Sequence, residues 1–169
     1  SKASGNFFVN AYFETYKLNV ITTSCSNNYG PHQHREKLIP TIVRTALAGK
    51  DIPIYGKGDN VRDWLFVKDH CIAIDEVFHN GKIGEIYNVG GDKELNNLEL
   101  ANKICNILDE LKPKKTKYSE QLTFVEDRKG HDFRYAVDFS KIHNELNWNP
   151  TKDFEGKLRE TIKWCMNNL

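Results

Sequence analysis

The sequence predicts an α/β fold, in which strands and helices alternate along one chain. Short runs rich in β-branched residues, such as VITTSCS at 20–26 and IPIY at 52–55, alternate with segments whose apolar residues recur at helical spacing. Turns that contain glycine separate these segments, as at 28–31 and 56–59. A chain of 169 residues is long enough for one domain with a substantial core.

Each element follows from a local pattern. A first helix is predicted over 3–17, where apolar residues recur at helical spacing; they are Phe7, Phe8, Ala11, Tyr12 and Tyr16. A second helix, over 38–47, has one apolar face and stops at Gly49. Further strands are predicted at 52–55, 62–67, 85–91 and 122–127, and further helices at 69–79, 98–111, 140–146 and 154–167. Asn96 or Asn97 is the expected N-cap of the helix that starts near 98.

Charge and cysteine content argue against several classes of function. The formal net charge of +1, from 24 basic and 23 acidic residues, gives no long-range field that would attract nucleic acid or an anionic membrane. The four cysteines form no Cys-x-x-Cys pair, and no apolar run approaches the roughly 20 residues of a membrane-spanning helix. We therefore expect a cytoplasmic protein with reduced cysteines. Because the chain opens on Ser1 and Lys2 and its only methionine is Met166, we expect it to be a fragment.

Two segments pair turns with polar side chains that suit a ligand. SNNYGP, at 26–31, ends a β-rich run in two asparagines, and ligands of α/β sheets lie beyond the carboxyl ends of strands; a plain turn is the alternative. GKGDNVRDWLFVKDH, at 56–70, places a glycine turn before Arg62, whose planar guanidinium suits phosphate oxygens. The alternative here is an exposed hairpin in which Arg62 pairs with Asp59 or Asp63.

A third segment, DRKGHDFRYAVD at 127–138, fits neither the helical nor the strand period and is predicted to be a loop. Arg128 and His131 could hold a diphosphate or a nucleobase edge, while Asp127, Asp132 and Arg134 could brace the loop internally. A charged loop could also be merely solvated. The six histidines lack metal-ligand spacing, so no metal site is predicted.

Taken in order, Ser1-Lys2, SNNYGP, KLIP, PIYGKGDNVRDWLFVKDH, YNVGG and DRKGHDFRYAVD resemble the C-terminal half of the bacterial dTDP-glucose 4,6-dehydratases, which belong to the extended short-chain dehydrogenase/reductase family. The resemblance covers essentially the whole chain, and DRKGHDFRYAVD is its most specific motif. It implies that residues 1–28 end an NAD-binding Rossmann domain, with its last helix and strand. Residues 29–169 would form the nucleotide-sugar-binding domain.

The resemblance also implies the chemistry. The family oxidises C4 of dTDP-glucose, eliminates water across C5 and C6 and returns the hydride to C6, so that NAD is recycled. Ser1-Lys2 resembles the end of a Tyr-x-x-x-Lys motif, in which the lysine, here Lys2, binds the nicotinamide ribose and lowers the tyrosine pKa. The catalytic tyrosine and the glycine-rich NAD loop would then precede Ser1, and the 169 residues alone should be inactive.

The family pattern assigns individual contacts. Asn28 would lie near NAD, while Arg62 and Arg128 would clamp the substrate diphosphate. The implied substrate-binding residues are Asn27, Lys37, Leu38, Pro53, Ile54, Tyr55, Arg62, Asn97, Asp127, Arg128, Lys129, Gly130, His131 and Tyr135. Lys129 departs from the family, where many members have proline, which should leave the loop less rigid.

The sequence leaves open two alternative functions and the way in which the chain assembles. The chain could belong to an enzyme that acts on a UDP sugar, or it could be a non-catalytic binding module. The resemblance implies a homodimer in which the helix over 3–17 packs against its mate, although its aromatic side could instead be buried within one subunit.

Overall fold

The structure, a computed structural model, describes residues 2–168, and of Lys2 it describes the backbone alone. The helices are α1 (Lys2–Tyr16), α2 (Leu38–Leu47), α3 (Val67–Asn80), α4 (Asn97–Leu111), α5 (Ser140–Leu146) and α6 (Phe154–Asn168). The strands are β1 (Thr22–Cys25), β2 (Asn27–Tyr29), β3 (Ile52–Tyr55), β4 (Val61–Phe66), β5 (Ile86–Val89), β6 (Glu94–Asn96), β7 (Leu122–Val125) and β8 (Arg134–Tyr135). A short 3₁₀ helix, Tyr118–Gln121, precedes β7.

The strands form three small sheets. β1 pairs with β5 in parallel, and β3 pairs with β7 in parallel. β4 is the centre of the third sheet: it pairs in parallel with β2 and β8 and antiparallel with β6. Because β4 joins three partners, it brings segments from early, middle and late in the sequence to one place.

Alternation along β3 separates the core from the surface. Ile52 and Ile54 are buried, whereas Pro53 and Tyr55 lie on the opposite face, as expected for a strand whose successive side chains point to opposite sides. The same alternation in β4 directs Arg62 and Trp64 to one side and Asp63 and Leu65 to the other.

Two apolar cores hold the elements together. The larger core lies among α2, α4, α6 and the strands β3 and β4, and it includes Ile42, Ile104 and Leu158. The smaller one lies among α3, α5, β1 and β5 around Tyr87 and Trp148. Each core closes a strand layer with helices, which is the arrangement expected of an α/β protein.

α1 packs little against the rest of the described chain. Phe13 is its only half-buried residue among those whose burial is described, and its ring lies against Gly84. Its aromatic side chains face outward, and Phe7 is 75% exposed. The alternative that this aromatic side is buried within one subunit is therefore not met in the described chain.

The predicted α/β class is confirmed, and two predictions about the elements need correction. The strand predicted over 20–26 is present as β1, whereas the turn predicted at 28–31 overlaps the end of a second short strand, β2, which pairs with β4. The amide of Ser26, between the two strands, is bonded to Val89. The loop predicted at 127–138 contains β8, and β6 was not predicted. Strands of two or three residues are too short to show a period.

The proposed domain boundary at residues 28 and 29 falls inside β2 and stays a prediction. Among the helices that the structure describes, none combines the length and the apolar character needed to cross a bilayer.

Candidate functional site

A cleft of about 420 Å³ opens beside β4, between β3, the start of α2 and the loop that follows β7. Its wall combines cationic, amide and apolar side chains. The lining residues are Asn27, Glu36, Lys37, Leu38, Thr41, Ile42, Pro53, Tyr55, Arg62, Trp64, Asn97, Arg128 and His131. Nine of these were predicted as substrate contacts, and they come from six separate segments of the sequence.

Arg62 reaches the cleft from β4 and is held by main-chain oxygens. Its guanidinium donates to the carbonyl of Val61 at 2.7 Å and to the carbonyl of Asp132 at 2.8 Å. The Asp63 carboxylate, on the other face of β4, accepts instead from the amides of Gly91 and Lys93. The alternative hairpin pairing of Arg62 with Asp63 is therefore not formed.

Arg128 enters the same cleft from the loop at 127–133. Its guanidinium lies over the ring of Tyr55, with 5.3 Å from Cζ to the ring centroid, and its Nη2 lies 2.8 Å from Nε2 of His131. The two arginines thus approach one cavity from distant parts of the chain. Together they supply two planar guanidinium groups, whose N–H donors match the geometry of phosphate oxygens.

The rest of the loop supports His131. Its Nδ1 lies 2.8 Å from Oδ1 of Asp127, which also accepts the amide of Arg128. The hydrogen bond from His131 is the largest cause that keeps the pKa of the Asp127 carboxyl below its usual range. Asp127 is therefore ionised at neutral pH and acts as a hydrogen-bond acceptor.

Part of the cleft wall is apolar. Leu38 and Ile42 come from one side of α2, and Pro53 and Tyr55 from the outer face of β3. Asn27 and Asn97 add amides at the first residues of β2 and α4. A cleft with an apolar wall and a few converging polar groups is the usual form of a small-molecule site.

Several predicted site residues lie outside this lining. The side chain of Ile54 is in the core, 1% exposed, because its neighbours Pro53 and Tyr55 take the cleft side of β3. Tyr135 donates its hydroxyl to the carbonyl of Cys25. Lys129 and Gly130 form an exposed turn beyond the cleft, with Gly130 at φ +70°.

Asn28, which was predicted to lie near NAD, does not line the cleft either. Asn28 donates to the sulfur of Cys25 and the carbonyl of Ser26, and its Oδ1 lies 2.9 Å from Nδ1 of His70. Its amide is thus fully engaged inside the protein. The prediction for Lys2 concerns a side chain outside what the structure describes.

Four lining residues were missed by the sequence analysis, although spacing could have found three of them. Trp64 follows Arg62 by two residues in a strand, so the two share a face. Thr41 and Ile42 follow Lys37 and Leu38 by one helical turn. Glu36 carries no such signal.

Other cavities are less suited to an anion. A groove of about 760 Å³ between α1, β1 and α3 is mostly apolar. A cavity of about 510 Å³ is lined by Asp63, Asp92, Glu94 and Asp138, and its one arginine, Arg134, is paired with Glu94. Within residues 2–168, no cluster of three histidine, cysteine or acidic side chains could hold a metal ion.

Comparison with known proteins identifies the family of this chain. The family profile described as GDP-mannose 4,6 dehydratase matches residues 1–161. The dTDP-glucose 4,6-dehydratase of Salmonella typhimurium is 52% identical over 168 residues, which are 99% of this chain and 46% of the relative. The chain therefore spans about half the length of the curated relatives it matches.

Solved structures show the same relationship. A dTDP-glucose 4,6-dehydratase from Bacillus anthracis, in complex with NAD, is 48% identical and superposes with a TM-score of 0.88 over 99% of this chain and 51% of that one. The dTDP-glucose 4,6-dehydratase of Streptomyces venezuelae, with NAD and TYD bound, is 44% identical with a TM-score of 0.90, over 99% and 50% of the two chains. These matches confirm the resemblance to the C-terminal half of the bacterial dTDP-glucose 4,6-dehydratases. Because the profile matches nearly the whole length of this chain, the chain belongs to the GDP-mannose 4,6 dehydratase family.

Proposed function

We propose that the cleft binds the nucleotide of dTDP-glucose and that this chain is the substrate-binding part of an NAD-dependent dTDP-glucose 4,6-dehydratase. The observation that carries the proposal is the convergence of Arg62 and Arg128 on one cleft. The two guanidinium groups supply positive charge where a diphosphate carries its negative charge, and hydrogen bonds between charged partners are about twice as strong as neutral ones.

The apolar part of the cleft is the proposed binding surface for the thymine base. Tyr55 and Pro53 on β3, with Leu38 on α2, offer flat and aliphatic surfaces on which a thymine and its deoxyribose would pack. Asn27 and Asn97 carry amides that can both donate and accept, as hydroxyl and phosphate groups require. Lys37 and His131 complete the proposed contacts with polar groups at the rim.

NAD is proposed as the cofactor because the relatives of known structure were solved with it. Asn28, which was predicted to lie near NAD, is half-buried and its amide bonds to Ser26 and His70, so we propose that the described residues supply only a minor share of the NAD contacts. When bound, NAD supplies hydride acceptance and return. We propose the cytoplasm as the location, since Cys25, Cys71, Cys105 and Cys165 are all free thiols.

Calorimetric titration of the protein expressed from its complete reading frame tests the binding proposal. We expect dTDP-glucose and dTDP to bind and UDP-glucose to bind at least tenfold more weakly. Arg62→Gln should weaken dTDP binding by about tenfold or more, because charge-assisted bonds contribute roughly 1.5–3 kcal/mol each. Arg159→Gln is the matched control, since Arg159 pairs with Glu110 at the contact of α6 with α4. Equal losses in both variants, or preference for UDP-glucose, would contradict the proposal.

Turnover separates the intact enzyme from the fragment. With dTDP-glucose and NAD, the complete protein should form the 4-keto-6-deoxy sugar nucleotide, and the 169 residues alone should form none. Product from the 169 residues would show that the expected inactivity is wrong. A complete protein that binds dTDP-glucose without turnover would favour the non-catalytic binding module.

A homodimer through α1 is proposed from its exposed aromatic side, which includes Phe8 and Tyr12. Aromatic side chains of this size are normally covered, and a second copy of the helix would cover them. Light scattering of the complete protein should give a dimer that Phe8→Glu dissociates. Phe124→Glu, at an exposed aromatic residue on β7, should leave the mass unchanged.

A further inference from the structure

We propose that Asp127 and His131 are positioning residues for Arg128, and that Asp127 supports nucleotide binding by fixing the imidazole tautomer, without touching the ligand. The inference deepens the proposed function and rests on it for the identity of the ligand. The sequence pattern had placed Asp127 among the substrate contacts, whereas the structure turns its carboxylate toward His131.

The hydrogen-bonding groups permit one tautomer of His131. A guanidinium has donors and no acceptor, so Nε2 of His131, 2.8 Å from Nη2 of Arg128, must carry the lone pair. The Asp127 carboxylate accepts only, so Nδ1, at 2.8 Å from Oδ1, must carry the proton. The carboxylate therefore selects the neutral imidazole that can accept from Arg128.

The backbone fixes Asp127 in place. Its Oδ1 accepts the amide of Arg128, and the amide of His131 closes the turn onto the carbonyl of Arg128. Behind it, a Cβ placed on Gly56 would lie 3.1 Å from the carboxyl group of Asp127, so the carboxylate packs closely against bare backbone. The side chain of His131 is only 5% exposed, although the loop itself is at the surface.

Arg128 depends on this arrangement more than Arg62 does. Arg62 is held by two carbonyl oxygens of the main chain. The described contacts of the Arg128 guanidinium are the imidazole and the face of the Tyr55 ring. Loss of the imidazole acceptor would leave Arg128 stacked on one ring and free to swing away from the cleft.

The direction in which dTDP affinity changes when Asp127 is removed distinguishes a positioning role from a purely electrostatic one. If Asp127 were only a negative charge near a diphosphate, its removal would strengthen dTDP binding. If it positions Arg128, its removal weakens dTDP binding and leaves the binding of thymidine, which has no phosphate, unchanged.

The test uses the complete protein and calorimetric titration with dTDP and with thymidine. Asp127→Ala should bind dTDP about tenfold more weakly, with unchanged thymidine affinity and an unchanged melting temperature. His131→Gln retains an oxygen acceptor near the Nε2 position and should therefore bind dTDP more tightly than His131→Ala, which has no acceptor for Arg128. In the His131→Gln background, Asp127→Ala should cause little further loss, because the carboxylate acts through the imidazole.

Nitrogen-15 shifts of the unliganded protein give a readout that is independent of binding. His131 should show a protonated Nδ1 and an unprotonated Nε2 at pH 7.5, and Asp127→Ala should change this ratio. Unchanged or tighter dTDP binding in Asp127→Ala, or an Nε2–H tautomer in the natural protein, overturns the inference. A natural protein that fails to bind dTDP overturns the proposed function, while the tautomer measurement still decides the positioning role.

Discussion

Gly91 passes so close to β4 that no side chain fits. A Cβ at this position would lie 1.9 Å from the carbonyl oxygen of Trp64 and 2.7 Å from the amide nitrogen of Leu65, both main-chain atoms that cannot move aside. The amide of Gly91 also donates to the buried carboxylate of Asp63. Overpacking against backbone is among the costly kinds of core change.

Gly91→Ala should therefore lower the free energy of unfolding by about 3 kcal/mol. Urea denaturation followed by circular dichroism measures the change. Gly5→Ala is the control, because Gly5 lies inside α1 with no atom near its missing Cβ; it should be neutral or stabilise by about 0.5 kcal/mol. A Gly91→Ala variant as stable as Gly5→Ala would contradict the close approach.

His70 is the residue that should link stability to pH. Burial lowers the pKa of its imidazole below the usual 6.5. The unfolded chain therefore binds this proton at a higher pH than the folded chain, and stability falls as the pH decreases from about 6.5 toward the folded pKa. Denaturation at pH 7.5 and 5.5 should show a smaller drop in unfolding free energy for His70→Gln than for the natural protein. His34→Gln, at an exposed residue, should behave like the natural protein.

At the scale of elements, two adjacent asparagines at the start of α4 have different roles, one in helix capping and one in the cleft. Asn96 is the N-cap: its Oδ1 accepts the amide of Glu99, and the Glu99 carboxylate accepts the amide of Asn96. Asn97, the first residue of the helix, lines the cleft instead. The sequence alone leaves open which of the two caps the helix, because asparagine is a favoured N-cap residue at either position.

Asn96→Ala should lower the free energy of unfolding by about 1 kcal/mol, the usual cost of a lost N-cap, and leave dTDP affinity nearly unchanged. Asn97→Ala should weaken dTDP binding and leave the free energy of unfolding nearly unchanged. Thermal denaturation and calorimetric titration of the two variants measure both effects. The same rank order in both assays would contradict this division of roles.

Sequence patterns predicted the elements with a clear period. The faces of α2 and α4 and the alternation in β3 are local, so they can be seen without tertiary structure. β6 and β8 were not predicted, because each exists only where it pairs with β4. A strand of two or three residues is stabilised by its partner and leaves almost no pattern of its own.

At the scale of the whole molecule, the reactivity of two buried cysteines reports how tightly the larger core is packed. Cys105 on α4 and Cys165 on α6 are both buried there, and burial is the main cause that raises the pKa of each thiol to about 11. Both low accessibility and scarce thiolate suppress their reaction with disulfide reagents. Cys71, by contrast, is exposed.

In the folded protein, a thiol titration should therefore detect Cys71 within minutes, whereas Cys105 and Cys165 should react only at the rate of unfolding. Cys71→Ser identifies the fast thiol, and mass spectrometry of the labelled peptides assigns the others. Fast labelling of Cys105 in the native protein would show that α4 leaves the core more readily than its packing indicates.

The site was predicted less completely than the elements, for a reason that belongs to the whole fold. Arg62 and Arg128 stood out because guanidinium chemistry suggests a diphosphate wherever it occurs. That they face one cavity depends on β4 and on the loop after β7, which come together only in the folded chain. The Asp127 carboxylate contacts His131 four residues further along the same loop, and because this loop has no helical or strand period, the sequence could not decide between internal bracing and a substrate contact.

The carbonyl of Asp132 accepts from both Arg62 and Asn60, and its own side chain is exposed. Because the acceptor is a main-chain atom, the residue type at 132 can change while the bonds to Arg62 and Asn60 remain. Position 132 is therefore suited to a cysteine bearing an environment-sensitive fluorophore. Such a label would report the arrival of a nucleotide optically, without altering the guanidinium groups that it senses.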